Sequence, residues 1–181
     1  MMLDCGCPSE FPDWNNQDVD LGGQCTLRLS IPTLFHMPLA YEAYMRRQQQ
    51  EVERGELKEK WPGFVITQTG LLGGAIYRPL EKGDSPSHHI HYLPRPFHVH
   101  GLLHHGDIGT IRKATQQLQS DIVDAGHIPK EMYLCYLTCP KCAEERGGSK
   151  ILLLRRWEAS ARLAQAQEKQ QRKAANAPTA N

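Results

Sequence analysis

IGTIRKATQQLQSDIVDA, from Ile108 to Ala125, decides the fold, because its apolar residues recur at spacings of three and four. This period places one apolar stripe along an amphipathic helix, formed by Ile108, Ile111, Thr115, Leu118, Ile122 and Ala125. Asp107 or Thr110 can cap the start of the helix, and Gly126 stands where a left-handed C-terminal cap is expected. The pattern therefore predicts a helix whose striped face packs into the core of the protein.

The segments on both sides of this helix have the patterns of strands. CTLRLSI, residues 25–31, alternates apolar and polar positions, as a half-buried strand does. GFVITQT (63–69) and GAIYRPL (74–80) predict a hairpin, and further strands are predicted at 97–103, 131–138 and 150–156. Residues 39–60 suit a surface helix that ends near Gly55.

This order of elements predicts an α+β fold in a single domain. We expect an antiparallel or mixed sheet with two main helices in the order strand-helix-strand-strand, repeated, and a polar helix at the C-terminal end. In element order the chain resembles the duplicated strand-helix-strand-strand arrangement of small effector-binding domains, and also ferredoxin-like sandwiches. Three parts are predicted: an irregular N-terminal arm (1–24), the α+β domain (25–157), and a polar helix with a disordered tail (158–181).

Composition limits where the protein works and what it contacts. In its 181 residues no apolar run is long enough to span a membrane, and Met1–Cys7 has no features of a secretory signal, so a cytoplasmic protein is predicted. Residues 1–24 carry only acidic charges, whereas residues 150–173 are mainly basic. Only Trp157 lies among those basic residues, and single-strand binding surfaces usually interleave several aromatic residues. The composition thus disfavours nucleic acid as a partner.

Two close pairs of cysteines stand near opposite ends of the chain. Cys5 and Cys7 form a CxC motif in the N-terminal arm, and Cys139 and Cys142 form a CxxC motif between two predicted strands. Each pair can supply two thiolates to one ion, and a tetrahedral zinc needs four. If the fold brings the pairs together, they form a structural zinc site, with the CxxC motif as the tip of a zinc knuckle.

Three alternatives for these cysteines stay open. An iron–sulfur cluster also uses four thiolates. A redox CxxC motif normally precedes a helix, whereas a strand is expected to follow Cys142 here. The four thiols can also be unliganded, in a turn and a loose terminus. The other two cysteines, Cys25 and Cys135, lie within strand patterns and are predicted to be small core residues.

Seven of the nine histidines fall between His88 and His105. His98 and His100 are two residues apart and would project from the same face of a strand, and His104 could complete a three-histidine site with Asp107 nearby. The HVH spacing is similar to the HxH ligands of cupin barrels, but no glutamate follows four or five residues later. The segment could instead bind an anion or be a solvated loop.

Two functions therefore compete. The leading hypothesis is a zinc-stabilised cytosolic protein that binds a small-molecule or protein partner. The alternative is a metalloenzyme with an open site at His98, His100 and His104. GxSxG, HExxH, Walker A and GxGxxG motifs are absent from the sequence, which disfavours nucleophilic and phosphotransfer enzymes.

Overall fold

A computed structural model of the chain describes residues 5–81, 89–166 and 169. Its centre is an eight-stranded sheet in the order β1-β8-β10-β9-β5-β6-β2-β7, in which all pairings are antiparallel. The strands are β1 Asp18–Asp20, β2 Cys25–Ile31, β5 Ile66–Thr69, β6 Gly74–Pro79, β7 Ile90–Tyr92, β8 His98–His105, β9 His127–Tyr136 and β10 Lys150–Ala159. A separate small hairpin pairs β3 Thr33–Leu34 with β4 Met37–Pro38. The predicted α+β class and single domain are confirmed, and the sheet is antiparallel rather than mixed.

The two longer helices lie where the apolar periodicity predicts them, and a third, short helix lies where a turn was predicted. Helix α1 spans Tyr41–Arg54, α2 spans Arg112–Asp124, and α3 is a short helix at Pro140–Glu145. A single 3-10 turn, Ile108–Thr110, precedes α2, and its start is capped by the Asp107 carboxylate, which accepts a hydrogen bond from the Thr110 amide at 3.1 Å. None of the helices in the described part of the chain is long and apolar enough to cross a membrane.

Leu118 is the centre of the packing between α2 and the sheet. Its side chain is fully buried in a cluster with Ile151 and Leu153 of β10. Ile122, one turn further along α2, is also buried, so the middle of the predicted stripe faces the core. The two ends of the stripe, Ile108 and Ala125, are exposed. Gly126 ends the helix region with a φ of 81°, the left-handed conformation that glycine adopts without steric cost.

We expect Leu118→Ala to lower the free energy of unfolding by about 2–5 kcal/mol, because it removes a fully buried side chain and leaves a cavity. Val123→Ala, on the exposed side of the same helix, should change it by about 0.5 kcal/mol or less. Denaturant titration measures both values. Equal effects of the two substitutions would mean that the packed face of α2 is wrongly assigned.

The two ends of the chain differ from the sequence predictions. The arm predicted to be irregular contains β1, which pairs with β8, and Trp14, which is buried against Trp61 and Phe64. The backbone of Trp14 passes close to Gly101, where a Cβ atom would lie 2.1 Å from the Trp14 carbonyl oxygen. This position of Trp14 therefore requires glycine at residue 101. At the other end, residues 158 and 159 continue β10 instead of starting a helix, the backbone is helical over 161–166, and most of the predicted tail lies outside the described residues.

Candidate metal centre

The fold brings the two cysteine pairs together. The Sγ atoms of Cys5, Cys7, Cys139 and Cys142 all lie within 4.8 Å of one another. Cys139 and Cys142 stand between β9 and β10, which are neighbours in the sheet, and the N-terminal arm reaches them from outside the sheet. Four convergent thiols from two distant segments form a group that can hold a metal ion.

The distances within this group suit a tetrahedral ion better than a disulfide. Zn–S bonds of about 2.3 Å place the sulfurs of a tetrahedral site about 3.8 Å apart. The Cys5 and Cys142 sulfurs are 3.0 Å apart, and no two of the four sulfurs are more than 4.8 Å apart. The tetrahedral separation of about 3.8 Å lies between these two distances. All four thiols are free, and 3.0 Å is well beyond the S–S bond length of about 2.05 Å.

The backbone around Cys139 differs from the predicted knuckle. Cys139 is the N-cap of α3, Pro140 occupies its first turn, and Gly147 and Gly148 return the chain to β10 with φ angles of 75° and 113°. Proline suits the first turn of a helix because its missing N–H would have no partner there. The prediction of a simple turn between the two strands is therefore wrong, because a short helix lies there. A helix does follow Cys139, so the argument used against a redox motif does not hold.

Hydrogen bonds attach the N-terminal arm to this segment. The Cys139 amide donates to the Cys7 sulfur at 3.2 Å, as amides commonly do to metal-bound thiolates. The Arg146 guanidinium, just after α3, donates to the Pro8 carbonyl oxygen at 3.1 Å. These two contacts hold the arm in place at Cys7 and at the next residue, Pro8.

The pKa values of the thiols differ because of the hydrogen bonds between them and because of burial. The pKa of Cys5, which is exposed, is lowered to about 7 mainly by its hydrogen bond with Cys142. The same interaction raises the pKa of Cys142 to about 11, and burial raises the pKa of Cys7 well above its usual value. Cys5 is thus more acidic than Cys7 and Cys142. Binding of a divalent cation would displace the protons of the thiols.

The three histidines predicted as a second site do not converge. His98 stacks on Trp157 with ring centroids 4.6 Å apart, and His100 lies 3.0 Å from the Asp18 carboxylate. His104 is 3.0 Å from the Thr110 hydroxyl. Within residues 5–81 and 89–166, the cysteine group is the one set of three or more candidate ligands whose donor atoms meet. His88 lies outside the described residues.

A cleft of about 570 Å³ lies directly against the cysteine group. Cys5, Cys7 and Cys139 form one end of it, α1 forms a side, and strands β6 and β9 contribute further residues. The lining is mainly apolar. It consists of Cys5, Gly6, Cys7, Tyr41, Glu42, Met45, Arg46, Gln49, Gly63, Val65, Arg78, Tyr136, Thr138 and Cys139.

Arg78 is a buried, charged residue of the cleft lining that sequence reasoning missed. Its side chain is only 2% exposed, and it is paired with the Glu59 carboxylate, which is 8% exposed. It also donates to the side-chain carbonyls of Gln49, at 2.8 Å, and Gln48, at 3.2 Å. The available signal was an arginine inside the apolar strand GAIYRPL, which indicates a buried cation with a partner.

Comparison with known proteins identifies the family. A family model described as bacterial hydrolase matches residues 2–157, which is most of the chain. The chain therefore belongs to the bacterial hydrolase family. The matched range includes all four cysteines and the complete lining of the cleft. No curated protein matches this member of the bacterial hydrolase family significantly.

Solved structures share the fold of this bacterial hydrolase family member. The EcmrR C-terminal domain is similar with a TM-score of 0.58 and 12% identity, over 79% of this chain and 96% of that domain. The EcmrR chain in the EcmrR–DNA complex is similar with a TM-score of 0.55 and 12% identity, over 79% of this chain and 57% of that chain. Identity this low shows a common fold alone, and the match spans little more than half of that EcmrR chain. Because a chain of this fold is part of a DNA complex, the prediction that disfavours nucleic acid as a partner is contradicted.

Proposed function

We propose that this protein binds a small organic molecule in the cleft beside the cysteine group, and that a zinc ion held by Cys5, Cys7, Cys139 and Cys142 fixes one wall of that cleft. The observation that carries the proposal is the shared lining: three of the four cysteines also line the cleft. A metal that joins the arm to α3 therefore also positions the cleft wall. The volume of the cleft, about 570 Å³, is within the range of about 300–1,000 Å³ typical of ligand sites.

The chemistry of the cleft supports a small-molecule ligand. Tyr41, Met45, Val65 and Tyr136 offer apolar and aromatic surface, and a few polar groups lie among them. Tyr41 and Tyr136 pack edge to face with ring centroids 5.7 Å apart, so the two rings form a rigid aromatic corner. Mostly apolar walls with few oriented polar groups are the usual composition of a ligand pocket.

Zinc is supported by the donor set. Thiolates are soft ligands that favour zinc, copper(I) or iron–sulfur clusters over magnesium and calcium. Four sulfurs fill the coordination sphere of zinc and leave no open position for a substrate, which supports a structural role. Elemental analysis of the purified protein should give one zinc per chain and no iron or acid-labile sulfide. One iron–sulfur cluster per chain would overturn this assignment.

We also propose that the fold consists of a strand-helix-strand-strand unit that occurs twice. One half of the fold consists of β2, α1, β5 and β6, and its strands lie in the order β5-β6-β2. The other half consists of β8, α2, β9 and β10, and its strands lie in the order β9-β10-β8. The halves meet where β5 pairs with β9. This correspondence supports a duplicated strand-helix-strand-strand unit, and the cleft takes residues from α1 of the first half and β9 of the second.

Filling the cleft should abolish ligand binding. A ligand present at about 100 times its Kd stabilises the folded state by about 2.7 kcal/mol, which raises the melting temperature by roughly 5–10 °C for a chain of this size. Screening a library of small aromatic and heterocyclic compounds by thermal shift, then calorimetry, identifies such a ligand. Met45→Trp, in the cleft, should remove the shift, and Glu53→Trp, on the exposed side of α1, should retain it. Loss in both variants, or in neither, would place the ligand elsewhere.

Hydrolysis of the bound molecule is the second candidate function, and membership of the bacterial hydrolase family favours it. The cleft contains a carboxylate, Glu42, that could activate a water molecule, and a guanidinium, Arg46, that could stabilise an oxyanion. With a panel of p-nitrophenyl esters, Glu42→Gln should reduce kcat at least about 100-fold. Glu53→Gln serves as the matched control and should leave the rate unchanged. Equal rates in the two variants would exclude Glu42 as the base.

A further inference from the structure

An exposed apolar surface lies at the end of the sheet where the small β3–β4 hairpin meets the β5–β6 turn. We call it the apolar tip, and it consists of Leu34, Phe35, Met37, Leu39, Leu71 and Leu72. Phe35 is 73% exposed and Leu72 is 75% exposed. Among the described residues, the other exposed large apolar side chains, Tyr92, Ile108, Val123 and Ile128, are in other elements. Single exposed apolar residues are ordinary on a protein surface, but a group of six is not.

The two loops of the apolar tip are held together by the backbone. The Phe35 amide donates to the Leu71 carbonyl at 2.9 Å, and the His36 amide donates to the Gly70 carbonyl at 3.2 Å. The Thr33 hydroxyl also donates to the Gly70 carbonyl, at 2.7 Å. The backbones of the two loops therefore have a fixed position relative to each other, and both loops contribute to the tip.

The backbone in and next to the tip is strained at three residues. Phe35, His36 and Ala40 have φ angles of 48°, 65° and 52°, and they are three of the five non-glycine residues with positive φ in the described chain. The left-handed conformation costs a residue with a side chain on the order of 1–3 kcal/mol, and such strain concentrates at functional sites. A protein that only needed a turn here could use glycine at these positions.

We infer that the apolar tip is the interface through which two copies of this chain form a two-fold symmetric dimer. At the observed exposures, six large side chains present roughly 600 Å² of apolar surface, and a standard interface takes about 800 Å² from each partner. The tip therefore supplies most of the area that one partner must contribute. Neighbouring side chains such as His36 and Pro38 extend it.

The charge distribution favours a second copy over other occupants. Residues 32–41 and 69–74 contain no Asp, Glu, Lys or Arg. In a two-fold interface each surface meets itself, so a charged surface would repel its copy, whereas an uncharged apolar surface complements itself. An amphipathic element that binds an anionic membrane carries lysine or arginine beside its apolar residues, and these two segments carry none.

Sedimentation equilibrium of the full chain over a range of concentrations tests the inference. The wild type should sediment at twice the chain mass of 20.5 kDa. Leu72→Glu and Phe35→Glu should each weaken the dimer at least about 30-fold, the effect expected for a residue central to an interface. Ile128→Glu, at an exposed apolar position in β9, is the matched control and should remain dimeric.

Added salt gives a second readout that does not depend on a variant. An uncharged apolar interface should keep its dissociation constant, or strengthen, between low and high salt, and an interface of ion pairs should weaken. A wild type that stays monomeric at all concentrations, or a dimer that persists in both glutamate variants, would overturn the inference. So would a monomer that floats with phosphatidylcholine vesicles and loses this binding in Leu72→Glu, because the tip would then be a lipid-contact surface.

Discussion

Replacing Cys139 by serine is expected to release the metal and to lower the melting temperature by about 10 °C. A ligand bound at about 1,000 times its Kd contributes about 4 kcal/mol of stability, and for a chain of this length each kcal/mol corresponds to about 2–4 °C. The loss reaches the N-terminal arm because Cys5 and Cys7 are joined to the rest of the protein through the same site. Inductively coupled plasma mass spectrometry and differential scanning calorimetry measure the two outcomes.

Cys25→Ala is the matched control for this experiment. Cys25 is a buried cysteine on β2 and is not part of the cysteine group, so this variant should keep its full metal content whatever its effect on stability. Deletion of residues 1–8 should resemble Cys139→Ser, because it removes the two ligands of the arm. If the truncated protein retained both its metal and its melting temperature, the proposed site between arm and α3 would be wrong.

Metal retention should also depend on pH, in a direction set by the ligands. Each cysteine must lose its proton to bind the metal, so affinity falls as the pH falls. Cys5, with a pKa lowered to about 7, gives up its proton most readily, and the raised pKa of Cys142 means that the metal must displace a proton there at neutral pH. Titration from pH 8 to pH 5 in the presence of a chelator should therefore release the metal progressively.

Local patterns predicted those parts of the fold that depend on one segment. β2 has the predicted bounds because alternation over seven residues marks a strand, and all four residues on its predicted apolar side are buried. Thr26, on the predicted polar side, is buried as well. The position of α2 follows from its stripe and from Gly126. The cysteine group was predictable because a CxC and a CxxC motif are each local half-sites, and the remaining question was whether the chain brings them together.

Features that depend on pairing between distant segments were not predictable. The residues predicted as a histidine site share one face of β8, as expected, but their partners come from other strands: Trp157 for His98 and Asp18 for His100. The register of β10 changes at a bulge between Arg155 and Trp157, and no local pattern indicates this shift. In contrast, α3 carried a local signal that was missed, since a proline directly after Cys139 is typical of a helix start.

Arg78 shows most clearly why the cleft could not be found from the sequence. Its partners Gln48 and Gln49 lie on α1, and Glu59 lies in the segment between α1 and β5, so its environment exists only in the folded protein. Gln48 is itself fully buried and donates to the Leu27 carbonyl at 2.8 Å, which ties the network to β2. The polar groups at the inner end of the cleft are thus a connected set, and removing one of them leaves the others unpaired.

We therefore expect Arg78→Met to destabilise the protein by about 3–5 kcal/mol, the usual cost of leaving one member of a buried ion pair alone. The Glu59 carboxylate would lose its charged partner in a site that is almost inaccessible to water. Arg28→Met, at an exposed position on β2, should cost about 0.5 kcal/mol or less. Urea titration compares the two variants. A loss below about 1 kcal/mol for Arg78→Met would mean that Glu59 is solvated and that the network is not a closed one.

The double variant Arg78→Met/Glu59→Leu separates the role of this pair in stability from its role in the cleft. When both charges are replaced by apolar groups, no unpaired ion remains, and buried ion pairs replaced in this way often leave stability unchanged or raise it. We expect the double variant to recover most of the stability lost in Arg78→Met. If Arg78 also positions the ligand, as its place in the cleft lining supports, the recovered protein should still fail to show the ligand-induced rise in melting temperature. A stable double variant that binds ligand like the wild type would restrict Arg78 to a structural role, because the cleft would then be complete without its guanidinium.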